Sequence, residues 1–299
     1  MRFYGMIHKI KENEGTVMDW NTFFLVAAAL LPAIILSAYV FKKDRAEKEP
    51  IGFLIQLFIL GAAACLPAAY AESLVIGVIE KLFGFIYDAD SGTFLQHISL
   101  FLYKGVYYFV GIALIEEGLK WFVVKKVAFG SDDFNSLFDG VIYAVFVSLG
   151  FAAFENIFYV LEYGFRNALM RAFLSVPGHM FFAVIMGYYF SFWHIREKAR
   201  ELEETLEGEG LITIVKPISV QKKKVMSLLM PCLAHGMYNF CCSSDSLFYV
   251  VAFYIFVAFL YWHCFGKIRR MSRADGPSNA YAVALLRRKY PHLYEEGRI

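Results

Sequence analysis

The residues of this sequence that are best suited to chemistry stand inside long apolar stretches. They are Glu116, Glu117 and Lys120 in one stretch, Glu155 and Asn156 in the next, His179 in a third, and His235 and Asn239 in a fourth. A charged group at the centre of a membrane helix costs roughly 2.5–3.5 kcal/mol, so such residues are rare and usually functional. Carboxylates and imidazoles placed together can activate water, bind a metal ion or relay protons.

Their depth follows from the distance to the nearest charged flank, at about 1.5 Å per helical residue. On this measure Glu116 lies about 13 Å and His235 about 16 Å from the lysines that flank their stretches on one side. His179 and Glu155, measured from the other side, come out at a similar level. We therefore expect the four stretches to bring their polar groups to nearly one depth.

Spacing within two of the stretches adds a second constraint. Glu116 and Lys120 stand at i, i+4 and can pair on one helix face, which leaves Glu117 on an adjacent face. His235 and Asn239 have the same spacing, so both can face one cavity. An asparagine amide in that cavity could donate a hydrogen bond to an oxyanion.

The composition indicates a membrane protein. Of the 299 residues, 59% are hydrophobic and 19% charged, with a mean hydropathy of +0.50. Soluble domains carry about 25% charged residues. The net charge of +2 is too small to indicate nucleic-acid binding, and we expect no nucleic-acid partner. The five cysteines show no C-x-x-C spacing and lie in or beside apolar stretches, which is typical of buried small side chains rather than of disulfides or zinc knuckles.

The predicted fold is all-α, a polytopic bundle of about seven transmembrane helices. An apolar run of about 18 or more residues is long enough to span a hydrocarbon core of about 30 Å. The seven predicted spans are 20–41, 51–79, 100–124, 137–161, 172–193, 225–242 and 247–265.

Lysine and arginine are distributed unequally between alternate loops, which predicts the orientation. One set of compartments carries 22 of these residues and the other six, and basic loops stay in the cytoplasm. We expect a multi-pass protein of the cell membrane with its N-terminus outside. The predicted organisation is an extracytoplasmic segment 1–19, a transmembrane domain 20–265 and a basic cytoplasmic tail 266–299. The domain has a core at about 105–242 and a charged cytoplasmic loop at 196–224.

Several common intramembrane chemistries are absent from the sequence. There is no H-E-x-x-H zinc-protease motif, and no span contains a G-x-S-G serine site or a G-x-G-D aspartyl site. No P-loop is present, so the chain has no motor for ATP-driven transport.

Five motifs in order resemble the PrsW family of membrane proteases, part of the wider group that includes the CAAX prenyl proteases. They are E-E-x-x-K from Glu116, F-D-G-x-x-Y from Phe138, G-F-A-x-x-E-N-x-x-Y from Gly150, H-x-x-F-A-x-x-x-G-Y from His179 and H-G-x-Y-N from His235. Together they cover about 125 residues.

The resemblance implies a membrane endopeptidase that clips a membrane-anchored, single-pass protein such as an anti-sigma factor and so starts regulated proteolysis. It implies an active site built from Glu116, Glu117, His179 and His235. Glu155 and Asn239 would act in support.

Two mechanisms remain open at this point. In one, Glu116 or Glu117 activates water with help from His179, while His235 and Asn239 stabilise the oxyanion. In the other, Glu117, His179 and His235 hold a zinc ion with water at its open position. The residue types serve both, so no cofactor is certain and zinc is possible.

Two other functions are compatible with the same residues. A proton- or solute-coupled transporter or channel also uses carboxylates and histidines at membrane depth. A non-catalytic scaffold that binds membrane partners is the third possibility. Every reading has the lipid bilayer as a partner.

Overall fold

A computed structural model describes residues 20–87, 93–243 and 246–295 of the chain. The predicted extracytoplasmic segment 1–19 lies outside the described residues. Within the described part the regular secondary structure is helical, apart from one isolated antiparallel bridge between Ser136 and Pro277. The all-α prediction is confirmed.

The described residues form eleven α-helices. In chain order they are α1 (Trp20–Lys43), α2 (Ile51–Tyr87), α3 (Thr93–Val106), α4 (Leu114–Val123), α5 (Asp139–Tyr163), α6 (Phe165–Phe173), α7 (Ser175–Gly208), α8 (Gln221–Cys242), α9 (Leu247–Arg273), α10 (Ser278–Lys289) and α11 (Pro291–Glu295). Two π-helical segments, Tyr107–Ala113 and Val124–Ala128, flank α4 on its two sides.

Six helical stretches in the described residues are individually long and apolar enough to cross a membrane. The remaining predicted span, 100–124, corresponds to a helical run from residue 93 to residue 128. This run alternates between α and π geometry, so each of its pieces is too short to qualify alone. About seven spans is consistent with this arrangement.

Helix α5 is the centre of the bundle. Buried residues make up 72% of its most apolar stretch, against 22% for α1 and for α9, which face outward. Glycines allow its neighbours to approach closely. A Cβ at Gly61 of α2 would lie 1.9 Å from the Val147 carbonyl oxygen, and a Cβ at Gly150 of α5 would lie 1.9 Å from the Phe58 carbonyl oxygen. Small residues at both positions therefore hold α2 against α5.

The bundle has two ends, which we name by whether the C-terminal tail packs there. The tail face is the end where α1, α4 and α7 finish, where α5 and α8 begin, and where α10 packs. The opposite face is the end where α5 and α8 finish and α7 begins.

The C-terminal tail is packed onto the tail face. Ala282 and Leu286 of α10 are buried at 0% and 1% exposure. Asp275 accepts hydrogen bonds from the backbone N–H groups of Arg45, Ala46 and Phe138, at 3.3, 3.0 and 3.0 Å. The tail thereby joins the α1–α2 loop to the segment that precedes α5.

A buried acidic group lies beside this junction. Asp139 accepts backbone hydrogen bonds from Asn135 at 2.9 Å and Ser136 at 2.6 Å. The Tyr143 hydroxyl donates to Glu49 of the α1–α2 loop. Burial raises the pKa of Glu49 to about 7. Asp139 and Tyr143, from the F-D-G-x-x-Y motif, therefore have structural contacts at the tail face.

Candidate active site

The acidic pair stands on a short α-helical segment between two π-helical ones. Glu116 and Glu117 lie in the first turn of α4, and Lys120 lies one turn later. π-Helical turns inside α-helices are often found at functional sites. All three side chains are buried, with Glu117 and Lys120 at 0% exposure.

Lys120 is the hub of the cluster. Its Nζ atom lies 3.1 Å from Glu116 Oε2, 2.8 Å from Glu117 Oε1 and 3.0 Å from His179 Nδ1. The ammonium also lies 4.2 Å from the centroid of the Phe151 ring. One side chain of α4 thus contacts two acids on its own helix and a histidine on α7.

Glu117 is turned towards α8. Its Oε1 atom lies 3.0 Å from His235 Nδ1, so the ring can donate to the carboxylate. Phe182 stacks on the His235 imidazole with ring centroids 4.7 Å apart and an interplanar angle of 16°. These contacts fix the ring plane and leave Nε2 as the remaining polar atom of His235.

His179 connects the acidic pair to Glu155. Its Nε2 atom lies 3.0 Å from Glu155 Oε2, on α5. Arg171 of α6 donates from Nη2 to the same carboxylate oxygen at 2.8 Å, and from Nε to Asn156 Oδ1 at 2.8 Å. Asn156 in turn donates to the Ala29 carbonyl of α1 at 2.8 Å. A continuous polar chain therefore runs from α8 through α4, α7 and α5 to α6 and α1.

A cavity of about 710 Å³ opens beside this chain. Tyr163, Arg171, Cys242 and Ser243 line it near the opposite face. Its inner wall contains Glu116, Glu155, His179, His235 and Asn239. Glu117 does not line it.

The structure brings together the residues that the sequence singled out. Glu116, Glu117, Glu155, His179 and His235 form one contact network with Lys120. Asn239 stands on the cavity wall with His235, one turn further along α8.

Arg171 and Glu72 are charged residues of this region that were not among the predicted site residues. The count of basic residues treats Arg171 as a loop charge, whereas the structure places it on α6, from which it contacts Glu155. Glu72 also lines the cavity. It interrupts the second apolar stretch, so the rule for ionisable residues at membrane depth would have found it.

The comparison with known proteins identifies the family. Residues 49–263 match a family described as "PrsW family intramembrane metalloprotease". The chain belongs to the PrsW family. The resemblance in the sequence motifs is confirmed, and the PrsW membership makes this chain a membrane protease.

Curated relatives extend the match over most of the chain. Protease PrsW of Oceanobacillus iheyensis is 34% identical over 76% of this chain and 86% of its own length. Protease PrsW of Geobacillus kaustophilus is 29% identical over 87% and 96%. Protease PrsW of Bacillus subtilis is 29% identical over 83% and 95%. No solved structure matches the chain significantly.

The family description raises the question of whether the site fits a metal ion. Glu116, Glu117 and His235 offer ligand atoms within 4.8 Å of one another, and Glu117 Oε2 is buried without a hydrogen-bond partner in the described residues. Zinc accepts such donors. This group contains Glu116, whereas the zinc ligands predicted from the sequence include His179 in its place. The Lys120 ammonium contacts both carboxylates, so the donors fit zinc by type while the local charge does not.

Proposed function

We propose that this chain is an intramembrane endopeptidase in which Glu116 activates the water that hydrolyses a peptide bond. The supporting observation is that Glu116 shares one cavity with His179, His235 and Asn239, whereas Glu117 stands behind that wall. Membership of the PrsW family supports the reaction class.

The contacts of Glu116 suit a general base. Lys120 holds its Oε2 atom, which leaves Oε1 for a water in the cavity. A buried carboxylate with a positioned water is a common way to generate a nucleophile. Glu116 takes a proton from the water, the oxygen bonds to the peptide carbonyl carbon, and the same proton passes to the leaving nitrogen as the C–N bond breaks.

His179 assists by position. Both of its ring nitrogens are engaged, with Lys120 at Nδ1 and with Glu155 at Nε2. In this arrangement His179 keeps Lys120 directed at the acidic pair, and Arg171 keeps Glu155 directed at His179.

His235 and Asn239 are suited to the oxyanion. In the protonated ring of His235, Glu117 accepts from Nδ1, and Nε2–H is the donor that remains. The Asn239 amide, one turn away on the same cavity wall, supplies a second donor. Preorganised donors of this kind are each worth about 10²–10³ in rate.

The proposed substrate is a single-pass, membrane-anchored protein such as an anti-sigma factor. The cavity opens towards the opposite face. The excess of basic residues at the tail face predicts that the tail face lies in the cytoplasm and the opposite face on the outer side of the cell membrane. Cleavage would then fall near the outer end of the substrate helix, as the first cut of a regulated sequence.

The test first compares the membrane proteomes of cells that carry the wild type or Glu116→Gln and identifies a protein that is shortened only in the wild type. The full-length form of that protein is then purified, and its cleavage by each purified enzyme is measured. We expect Glu116→Gln to lower the cleavage rate at least about 10³-fold, and His179→Ala to abolish detectable cleavage. Glu80→Gln is the matched control, because this exposed carboxylate of α2 lies outside the cavity.

Normal cleavage by a well-inserted Glu116→Gln protein would refute this site. A transporter would instead show solute flux in vesicles that depends on the same residues, with no shortened protein in the membrane proteome.

A further inference from the structure

We propose that the Lys120 ammonium is the resident cation of this site and occupies the position between the two glutamates that a metal ion would otherwise take. This inference deepens the proposed function, since the same glutamates are involved. It makes Lys120 a positioning residue that excludes divalent metal.

The coordination of Lys120 resembles the shell of a bound cation. Two carboxylate oxygens and an imidazole nitrogen lie within 3.1 Å of Nζ, and the Phe151 ring covers it at 4.2 Å. An ammonium has three N–H donors, and three acceptors stand around this one. The side chain is 0% exposed, so it has no alternative contact with water.

The charges of the cluster favour the ammonium over an added metal. The hydrogen-bonded residues carry three carboxylates, Glu116, Glu117 and Glu155, and two cations, Lys120 and Arg171. In the resting site, with both histidines neutral, this leaves one negative charge; the protonated His235 ring of the oxyanion step belongs to the reacting site. A divalent ion bound to Glu116 and Glu117 would stand directly beside the Lys120 ammonium, which contacts both carboxylates, and the two cations would repel each other in a buried site.

The same count predicts what happens when Lys120 is removed. Without its ammonium, a divalent ion would bring the cluster to neutrality. The ligand atoms of Glu116, Glu117 and His235 already lie within 4.8 Å of one another, and Glu117 Oε2 is free to bind. Lys120→Met keeps a long apolar stem and deletes only the cationic head.

The experiment measures metal binding without any substrate. Purified wild type and Lys120→Met, stripped with chelator in detergent, are titrated with zinc, and bound zinc per chain is measured after gel filtration. Cobalt(II) absorption reports the geometry of the ion. We expect zinc to bind Lys120→Met at least about 100-fold more tightly than the wild type. The gain should disappear when His235→Ala is added.

Lys125→Met is the matched control, because this lysine follows α4 and contacts no residue of the cluster. Its zinc binding should equal that of the wild type. The inference is overturned if wild-type protein itself holds one zinc that His235→Ala removes, a result that stands even if Lys120→Met does not fold. It is also overturned if folded Lys120→Met binds zinc no better than the wild type. Neither outcome depends on whether the protein cleaves a substrate.

Discussion

At the scale of single residues, Glu116 and Glu117 are adjacent in sequence and differ in what they contact. Glu116 lines the cavity, whereas Glu117 is fully buried between Lys120 and His235. Successive positions on a helix are about 100° apart. The helix therefore directs one carboxylate to the cavity and the other to a histidine, and the two have different roles in the proposed mechanism.

Arg171 is the residue by which the positioning of Glu155 can be tested. Arg171→Met removes the ion pair that holds Glu155 against His179. We expect kcat to fall about 10–100-fold with little change in KM, because small displacements of a catalytic group cost this much. Arg171→Lys should recover part of the rate.

The control for this prediction is Arg166→Met, an exposed arginine of the same helix α6. Steady-state cleavage of a purified substrate gives both constants. Equal losses in the two variants, or a fall confined to KM, would contradict a positioning role for Arg171.

At the scale of elements, a loop and the C-terminal tail also contact the helix that carries Glu155. The α1–α2 loop carries Glu49, which is 5% exposed and bonded to Tyr143 of α5. The tail reaches the same junction through Asp275. Helix α5, which carries Glu155 at its other end, is thereby anchored at its start.

Glu49 makes this junction sensitive to pH. Burial raises its pKa from the usual 4.5 to about 7, so the folded protein retains a proton that the unfolded chain has released. The free energy of unfolding therefore declines as pH rises between these two values and stays at the lower level above them.

Glu49→Gln removes this dependence. The free energy of unfolding of the variant minus that of the wild type should rise by about 1–3 kcal/mol from pH 5 to pH 8. Thermal unfolding in detergent at the two pH values measures this change. Glu47→Gln, an exposed residue of the same loop, is the control. A constant difference between Glu49→Gln and wild type at the two pH values would rule out Glu49 as the source.

At the scale of the whole molecule, the two faces of the bundle have separate tasks. The tail face carries the packed tail and most of the basic residues, and the opposite face carries the mouth of the cavity. A protease that cuts near the outer surface needs its cavity to open there. The orientation of the bundle is therefore part of the proposed function.

Thiol labelling tests this orientation. In a background without the five native cysteines, Arg166→Cys places a thiol at the opposite face and Glu209→Cys places one at the tail face. An impermeant maleimide should label the first in intact cells and the second only after the membrane is opened, as the positive-inside rule requires. The reverse pattern would place the cavity in the cytoplasm and contradict an outer cut.

The sequence alone determined the class of the protein and predicted most of the residues of the candidate site. Apolar length predicts the spans, because a bilayer requires about 20 residues per crossing. The cost of burying charge singles out Glu116, Glu117, Glu155, His179 and His235, and their motifs indicate the family. The i, i+4 spacing also predicted the contact of Lys120 with Glu116.

Only the tertiary structure decided which of these residues contact each other and which of them line the cavity. The contacts of Lys120 with His179 and of Glu117 with His235 join residues 59 and 118 positions apart, which no helical period encodes. The π-helical turns on both sides of α4 change which faces of that run point inward. The cavity wall likewise exists only where separate helices meet, and it is this wall that separates Glu116 from Glu117.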